Sequence, residues 1–165
     1  MGEILMIRII DGNLLESGAD FICHQVNCQG KMNSGIAKQI REKWPEVYEQ
    51  YIKAFTQVSN SSILLGHAQS VLVDDNKRII FNLFAQNNYG YDGKQYTDVQ
   101  ALESCFEDLV SQVKELEAHH KCTFRIAIPY KIGCVRGGAN WDEVYSIIEE
   151  VFKDIDVELW RLDKG

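Results

Sequence analysis

The chain has 165 residues, 45% of them hydrophobic and 25% charged, a composition that predicts one soluble domain over residues 1–165. We expect a cytoplasmic protein without a membrane partner, because no apolar run approaches the roughly 18 residues of a membrane span and the first residues form no signal peptide. The net charge of −7 argues against general nucleic-acid binding, since an acidic surface repels a phosphate backbone. The five cysteines fit neither a disulfide framework nor a zinc template, so neither a metal ion nor a cofactor is predicted.

Predicted strands and helices alternate along the chain. In chain order, the apolar patterns indicate strands at 5–10 and 21–26, helices at 35–43 and 45–55, strands at 66–73 and 78–85, a helix at 98–118, a strand at 124–129, a helix at 141–153 and a last strand at 157–162. The two strands around Asp74-Asp75-Asn76 are predicted to form a hairpin, so part of the sheet is antiparallel. The predicted fold class is therefore α/β, a three-layer α/β/α sandwich with a mixed sheet.

Polar residues and one proline predict where three of the helices begin. Thr97 with Gln100 predicts a capping box at the start of the long helix, and Asn140 with Glu143 predicts another at the last helix. Pro45 fits the first turn of the second helix and excludes a continuous helix through that position.

Two glycine-bearing turns, about one hundred residues apart, each lead from a predicted buried strand into a helix. The first spans residues 26–37 and the second residues 129–141, and no Asp or Glu occurs in 25–41 or in 118–141. Free N–H groups at a helix start suit an anion, and glycine lets the main chain approach a phosphate closely. A single such glycine more often serves only a tight turn, but the shared context of both turns favours a site for two linked phosphates.

Neither turn matches a common nucleotide-binding motif. No Gly-Lys-Ser/Thr sequence closes a Walker A loop, and no Gly-x-Gly-x-x-Gly is followed by a ribose-binding acid. An NTPase and a nicotinamide dehydrogenase are therefore not favoured.

Motifs in both turns and in the last strand occur together in one known family. They are Val26-Asn27-Cys28, the spacing to Gly35-Ile36-Ala37, the loop from Pro129 through Gly133-Cys134 and Gly137-Gly138 to Trp141, and the strand at 157–162. From residue 7 to residue 162 the chain resembles a macrodomain, the ADP-ribose-binding module. It is most similar to the branch with terminal ADP-ribose hydrolases, ADP-ribose-1″-phosphate phosphatases and deADP-ribosylating antitoxins. The resemblance implies a six-stranded mixed sheet between helices and a cleft for ADP-ribose or an ADP-ribosylated substrate.

The resemblance also implies roles for individual residues. Asn27 would orient the distal ribose through its amide, with a strand-end turn as the alternative. Asn13 stands where the family usually has Asp against the adenine, and Trp160 would flank the adenine, with ordinary packing as the alternative. The expected ligand contacts are Asn13, Gly30, Lys31, Met32, Ser34, Gly35, Ile36, Gln86, Gly133, Cys134, Val135, Arg136, Gly137, Gly138 and Trp160.

Gln86 stands where close relatives carry a lysine, and the aspartate that some of them add in the second loop falls near Gly137. An amide cannot form a Schiff base, so the resemblance implies hydrolysis of an ADP-ribose derivative by water attack at the distal ribose. The catalytic candidates are Asn27, Tyr96 and Asp98, the last two in a polar loop at 87–98 that is predicted as a lid and also contains Tyr89. The alternatives are a solvated loop that caps the long helix, a non-catalytic reader of ADP-ribosylated targets and, more distantly, a generic nucleotide phosphatase.

Overall fold

A computed structural model describes residues 7–33, 35–90 and 92–162. The strands are β1 (Ile7–Asp11), β2 (Phe21–Asn27), β3 (Ala68–Val73), β4 (Arg78–Gln86), β5 (Ile126–Pro129) and β6 (Val157–Arg161). The helices are α1 (Gly35–Lys43), α2 (Pro45–Thr56), α3 (Val99–His120) and α4 (Trp141–Val151). Each predicted strand and helix is present with ends shifted by a few residues, and short 3₁₀ turns at Leu14–Glu16 and Ser61–Leu64 were not predicted. The first two residues of the strand predicted at 5–10 lie outside the described residues.

Within the described ranges the six strands form one sheet, in the order β1-β6-β5-β2-β4-β3. Neighbouring strands are parallel except β3 and β4, which pair antiparallel through the turn at 74–76. The three turn residues take left-handed φ values of 53°, 56° and 66°, which Asp and Asn adopt more readily than most other side chains. The predicted mixed sheet and its hairpin are confirmed.

Helices cover both faces of this sheet. One buried cluster packs α3 and α4 against one face and includes Phe81, Leu102 and Ile148. A second cluster packs α1 and α2 against the opposite face and includes Ile40 and Tyr51. The predicted three-layer α/β/α sandwich is confirmed. None of the described helices combines the length and the apolar character of a membrane span.

The start of α3 differs from the prediction. Asp98, rather than Thr97, is the N-cap, and its Oδ1 accepts the N–H of Ala101 at 3.0 Å. Thr97 lies in an antiparallel bridge with Gln86 and donates its hydroxyl to the main-chain O of Gly133 at 2.7 Å. Both residue types can cap a helix, so the tertiary contacts of Thr97 decided which of them does.

Two other helices, α4 and α2, begin where the sequence predicts. Asn140 caps α4 and accepts the N–H of Glu143 at 3.0 Å, as predicted. Pro45 is the first residue of α2 and lies directly after Trp44, where the chain leaves α1. These local signals set where α2 and α4 begin.

Candidate functional site

A cleft of about 330 Å³ opens at the carboxyl ends of β2 and β5, neighbouring strands in the parallel part of the sheet. The first loop, between β2 and α1 and described over residues 28–33, forms one wall together with the start of α1. The second loop, residues 130–140 between β5 and α4, forms the other wall, and Gln86 at the end of β4 lines the cleft between them. An adjoining cavity shares Ile36 and Tyr130 with this cleft and extends to Trp160 on β6. Ligands of open α/β sheets bind at this edge.

The lining of the cleft is electropositive although the chain carries a net charge of −7. Among the described residues that line the cleft and the adjoining cavity, none is Asp or Glu. Lys31, Lys131 and Arg136 line the cleft, and Arg161, whose Nε donates to Asp11 at 2.8 Å, lines the adjoining cavity. Such a lining favours a small anion over a neutral ligand.

Asn27 lies at the cleft end of β2, where the pairing with β4 shifts register after Val26. Its Oδ1 accepts hydrogen bonds from the N–H of Gln29 at 2.9 Å and from the hydroxyl of Tyr51 at 2.7 Å. Its Nδ2 donates to the main-chain O of Lys31 at 2.9 Å. Of the amide that is expected to orient the distal ribose, only the donor side remains available to a ligand. Its oxygen is already occupied, and within the described part of the chain one Nδ2 hydrogen is left for a ligand.

The segment that directly precedes α3 holds the second loop in place. Gly137 O in that loop accepts the N–H groups of Tyr96 at 2.7 Å and of Thr97 at 3.0 Å. A Cβ atom at Gly137 would overlap the Thr97 hydroxyl and would lie 2.5 Å from the main-chain O of Gly133. Glycine is therefore required at this position for packing, independently of any ligand.

Gln25 connects the floor of the cleft to this loop. Its Nε2 donates to Gln86 Oε1 and to Thr97 Oγ1, both at 2.7 Å, while Gln86 Nε2 donates to the main-chain O of Asn88 at 2.8 Å. The amide at the position of the relatives' lysine is therefore a fixed hydrogen-bonding group. Sequence reasoning missed Gln25, although a polar side chain in a buried strand was a usable signal.

Of the three catalytic candidates, the structure brings Asn27 into the cleft and leaves Tyr96 and Asp98 outside its lining. The Tyr96 hydroxyl donates to Asp92 Oδ1 at 2.8 Å, which lowers the pKa of the Asp92 carboxyl and raises that of Tyr96. Asp98 uses its carboxylate to cap α3. Tyr89 does line the cleft and is 40% exposed. The predicted lid is anchored at its far end, because the main chain at 96–98 is bonded to the second loop and to β4.

The adjoining cavity holds the two residues predicted to contact the adenine. Asn13 Oδ1 accepts the N–H of Leu15 at 3.0 Å, so this oxygen already serves a local turn. Trp160 Nε1 donates to Glu158 Oε1 at 3.0 Å. A Cβ atom at Gly12 would lie 2.6 Å from the indole ring, so glycine is needed for the ring to pack there. The indole is thereby fixed at the rim of the cavity.

Most other predicted ligand contacts lie in this region. Those that line the cleft or the adjoining cavity are Lys31, Met32, Gly35, Ile36, Gln86, Gly133, Val135, Arg136 and Gly137. Three do not line either one: Gly30 packs near Phe55, the thiol of Cys134 is directed at the main-chain O of Ile132, and Gly138 packs against the main chain of residues 94–95. Ser34 lies outside the described residues.

One histidine and two cysteines near the cleft are kept in their neutral forms. Burial lowers the pKa of His24 to about 4, against the opposing effect of its hydrogen bond with Asn82. Burial raises the pKa of Cys28 to about 11 and also raises that of Cys134. At neutral pH these groups are therefore neither thiolate nucleophiles nor charged acids. Within the described ranges no three His, Cys, Asp or Glu side chains are grouped so that they could hold a metal ion.

Fold and site together define an α/β/α protein with an electropositive cleft at the carboxyl ends of its parallel strands. The Macro domain family profile matches residues 23–148, more than half of the chain. The chain therefore belongs to the Macro domain family.

Similar proteins come from several bacteria. The chain is 29% identical over 161 residues to a DNA ADP-ribosyl glycohydrolase of Thermus aquaticus. The alignment covers 94% of this chain and 40% of that relative. The macrodomain of Mycobacterium tuberculosis DarG superposes with a TM-score of 0.79 at 22% identity, covering 96% of this chain and 99% of that chain. Thermosipho africanus DarTG in complex with ADP-ribose superposes with a TM-score of 0.71 at 18% identity, covering 95% of this chain and 42% of that chain. At these identities the two structures show a shared fold, and this chain spans about 40% of the length of the curated relative.

Proposed function

We propose that this chain binds ADP-ribose in the cleft and hydrolyses an ADP-ribose conjugate, either a mono-ADP-ribosylated target or ADP-ribose-1″-phosphate. The observation that carries the proposal is a cleft lining without Asp or Glu among the described residues of an acidic chain. Membership in the Macro domain family and the ADP-ribose complex of a protein with the same fold support the choice of ligand.

The proposed orientation follows the charges of the cleft. The diphosphate lies between the start of α1, whose first turn carries no acidic residue, and the second loop, with Arg136 close to both. The adenine lies in the adjoining cavity beside Trp160. The distal ribose then lies at the end of the cleft lined by Asn27 and Gln86.

Hydrolysis in this cleft rests on orientation rather than on a side-chain base. His24 is neutral, Gln86 is an amide, and no described lining residue is a carboxylate. In the proposed step for an ADP-ribosylated target, water oxygen bonds to C1″ of the distal ribose as the C1″–acceptor bond breaks. The water proton passes to the leaving acceptor with the help of a substrate phosphate oxygen. The Asn27 amide donates to the ribose, and main-chain N–H groups of the two loops counter the developing charge.

The absence of a described carboxylate from the cleft lining favours a second candidate function, a non-catalytic reader of ADP-ribosylated targets. A cleft without a carboxylate or a lysine at the position of Gln86 can hold ADP-ribose firmly while it lacks an efficient catalytic base. The two functions share one ligand and differ in turnover.

Calorimetry is expected to show micromolar binding of ADP-ribose, about −8 kcal/mol, and much weaker binding of AMP. AMP lacks the distal ribose and the second phosphate, and therefore lacks the contacts at Asn27 and at one of the two loops. Equal affinities for the two ligands would contradict the assignment. Incubation with a panel of ADP-ribose conjugates, followed by detection of free ADP-ribose, separates the hydrolase from the reader.

Trp160→Ala is expected to weaken ADP-ribose binding by roughly 1–3 kcal/mol, the range for a base stacked on an aromatic side chain. Trp160→Phe is the matched control, because it keeps a ring face and loses the hydrogen bond to Glu158 and part of the aromatic surface, so we expect a smaller loss. Calorimetry gives the affinities, and tryptophan fluorescence should respond to ligand in the wild type. A folded Trp160→Ala protein with unchanged affinity would make Trp160 a packing residue only.

A further inference from the structure

Tyr51, in the middle of α2, connects the core of the protein to the cleft. The residue is fully buried, and its ring stacks on Phe84 of β4 with centroids 5.7 Å apart and an angle of 20° between the planes. Its ring position fits the apolar core between α2 and the sheet, so local sequence gives no sign of any other role.

The Tyr51 hydroxyl makes more contacts than core packing requires. It lies 2.7 Å from Asn27 Oδ1 and 2.8 Å from the main-chain O of Asn27, and it accepts the N–H of Lys31 at 3.0 Å. Burial raises the pKa of this hydroxyl, so it remains a neutral donor throughout the physiological range. One buried hydroxyl therefore ties together both ends of the turn that presents Asn27 to the cleft.

These contacts determine what Asn27 can offer to a ligand. Asn27 still pairs with β4, opposite Gln86, after the shift in pairing at Val26, and the orientation of its amide depends on the hydrogen bonds of the side chain. Tyr51 and Gln29 both donate to Oδ1, which places the amide oxygen on the protein side and leaves Nδ2 as the available donor. The N–H of Gln29 and the main-chain O of Lys31 favour the same orientation of the amide. The Tyr51 hydroxyl adds a buried donor to Oδ1, and without it a rotation that exchanges donor and acceptor at the ligand costs less.

We propose that Tyr51 is a positioning residue that holds the Asn27 amide with its N–H toward the distal ribose. This inference rests on the proposed function and deepens it, because it names the group that orients the ribose contact. Tyr51 itself is buried and does not line the cleft, so it acts through Asn27.

Tyr51→Phe is the test, with Tyr48→Phe as the matched control. Phe keeps the buried ring and removes only the hydroxyl. The Tyr48 hydroxyl on the same helix makes one long hydrogen bond among the described residues, 3.4 Å to Gly30 O. The NMR signals of the Asn27 Nδ2 protons, assigned by their loss in Asn27→Ala, report on the amide without any ligand. We expect Tyr51→Phe to shift them and to speed their exchange with solvent, and Tyr48→Phe to leave them unchanged.

Kinetics then test the positioning role. Turnover of an ADP-ribose conjugate should fall roughly 10-fold or more in Tyr51→Phe, while KM and ADP-ribose affinity change less than about threefold. In an Asn27→Ala background the same change should alter turnover less than about twofold, because the residue through which Tyr51 acts is gone. If the protein binds ADP-ribose without turnover, the effect of Tyr51→Phe in the wild-type and Asn27→Ala backgrounds is measured as a change in ADP-ribose affinity.

Additive effects of the two substitutions, or unchanged Asn27 signals in Tyr51→Phe, would overturn the positioning role. A wild-type protein that does not bind ADP-ribose would overturn the proposed function instead. The NMR comparison still decides in that case whether Tyr51 holds the Asn27 amide, so the two failures are distinguishable.

Discussion

Gly35→Glu is expected to abolish ADP-ribose binding in the micromolar range, whereas Gly35→Gln retains most of it. A Cβ atom at Gly35 has only one near neighbour among the described residues, Arg136 Nε at 3.8 Å, so there is room for either side chain. A carboxylate about 5 Å from a phosphate costs about 3 kcal/mol at an effective dielectric constant of about 20, which lowers affinity roughly 10²-fold. The carboxylate would also attract Arg136 away from the ligand. Calorimetry measures the affinity of both variants for ADP-ribose.

Gly35→Gln is the matched control because both side chains have the same length and both suffer the same strain at a φ of 59°. Gly137 is a poorer position for this test, since any side chain there collides with Thr97 and would displace the second loop. Equal affinities of the Glu and Gln variants would show that no ligand phosphate lies beside the start of α1, and would remove the proposed orientation.

Asn27→Ala is expected to lower turnover roughly 10²-fold or more while ADP-ribose affinity falls less, as for a contact that is tightest in the transition state. Turnover is measured with the conjugate on which the wild type is most active. Asn60→Ala is the control: Asn60 Oδ1 accepts the N–H two residues ahead, as Asn27 Oδ1 does, but in a turn away from the cleft. Thermal melting of both variants separates lost orientation from lost stability.

The amide at Gln86 predicts hydrolysis without a covalent lysine intermediate. Borohydride added during turnover should trap no ADP-ribosyl adduct, because an amide at this position forms no imine that could be reduced. A trapped adduct on Lys31, Lys94 or Lys131 would establish covalent catalysis from another position. Tight ADP-ribose binding without turnover on every conjugate would establish the reader function instead.

The elements of the fold were predictable because their signals are local. The apolar stripe of α3, the proline at the start of α2 and the Asp-rich turn between β3 and β4 each act over a few residues. Burial of β2 and β5 on both faces was likewise visible as short apolar runs, and it predicted the sandwich.

The roles of single polar groups were predicted less well. Thr97 and Asp98 are adjacent and chemically suited to the same cap, and the contact of Thr97 with Gly133 assigned the cap to Asp98. Tyr96 was placed near the reaction because its loop follows β4, but it bonds to Asp92 in that loop. In each case the sequence contained the donor and several acceptors, and distance in the folded chain selected among them.

The sequence by itself determined the order of the elements and the two loops without carboxylates, because periodicity and composition record burial and charge directly. The family resemblance came separately, from the motifs in the two turns and the last strand. Only the tertiary structure decided how Asn27 presents its amide. That choice depends in part on Tyr51, 24 residues away in the chain, whose hydroxyl reaches the end of β2 only after α2 has packed on the sheet. A hydrogen bond needs a partner within about 3 Å in a set direction, and a linear sequence does not contain that direction.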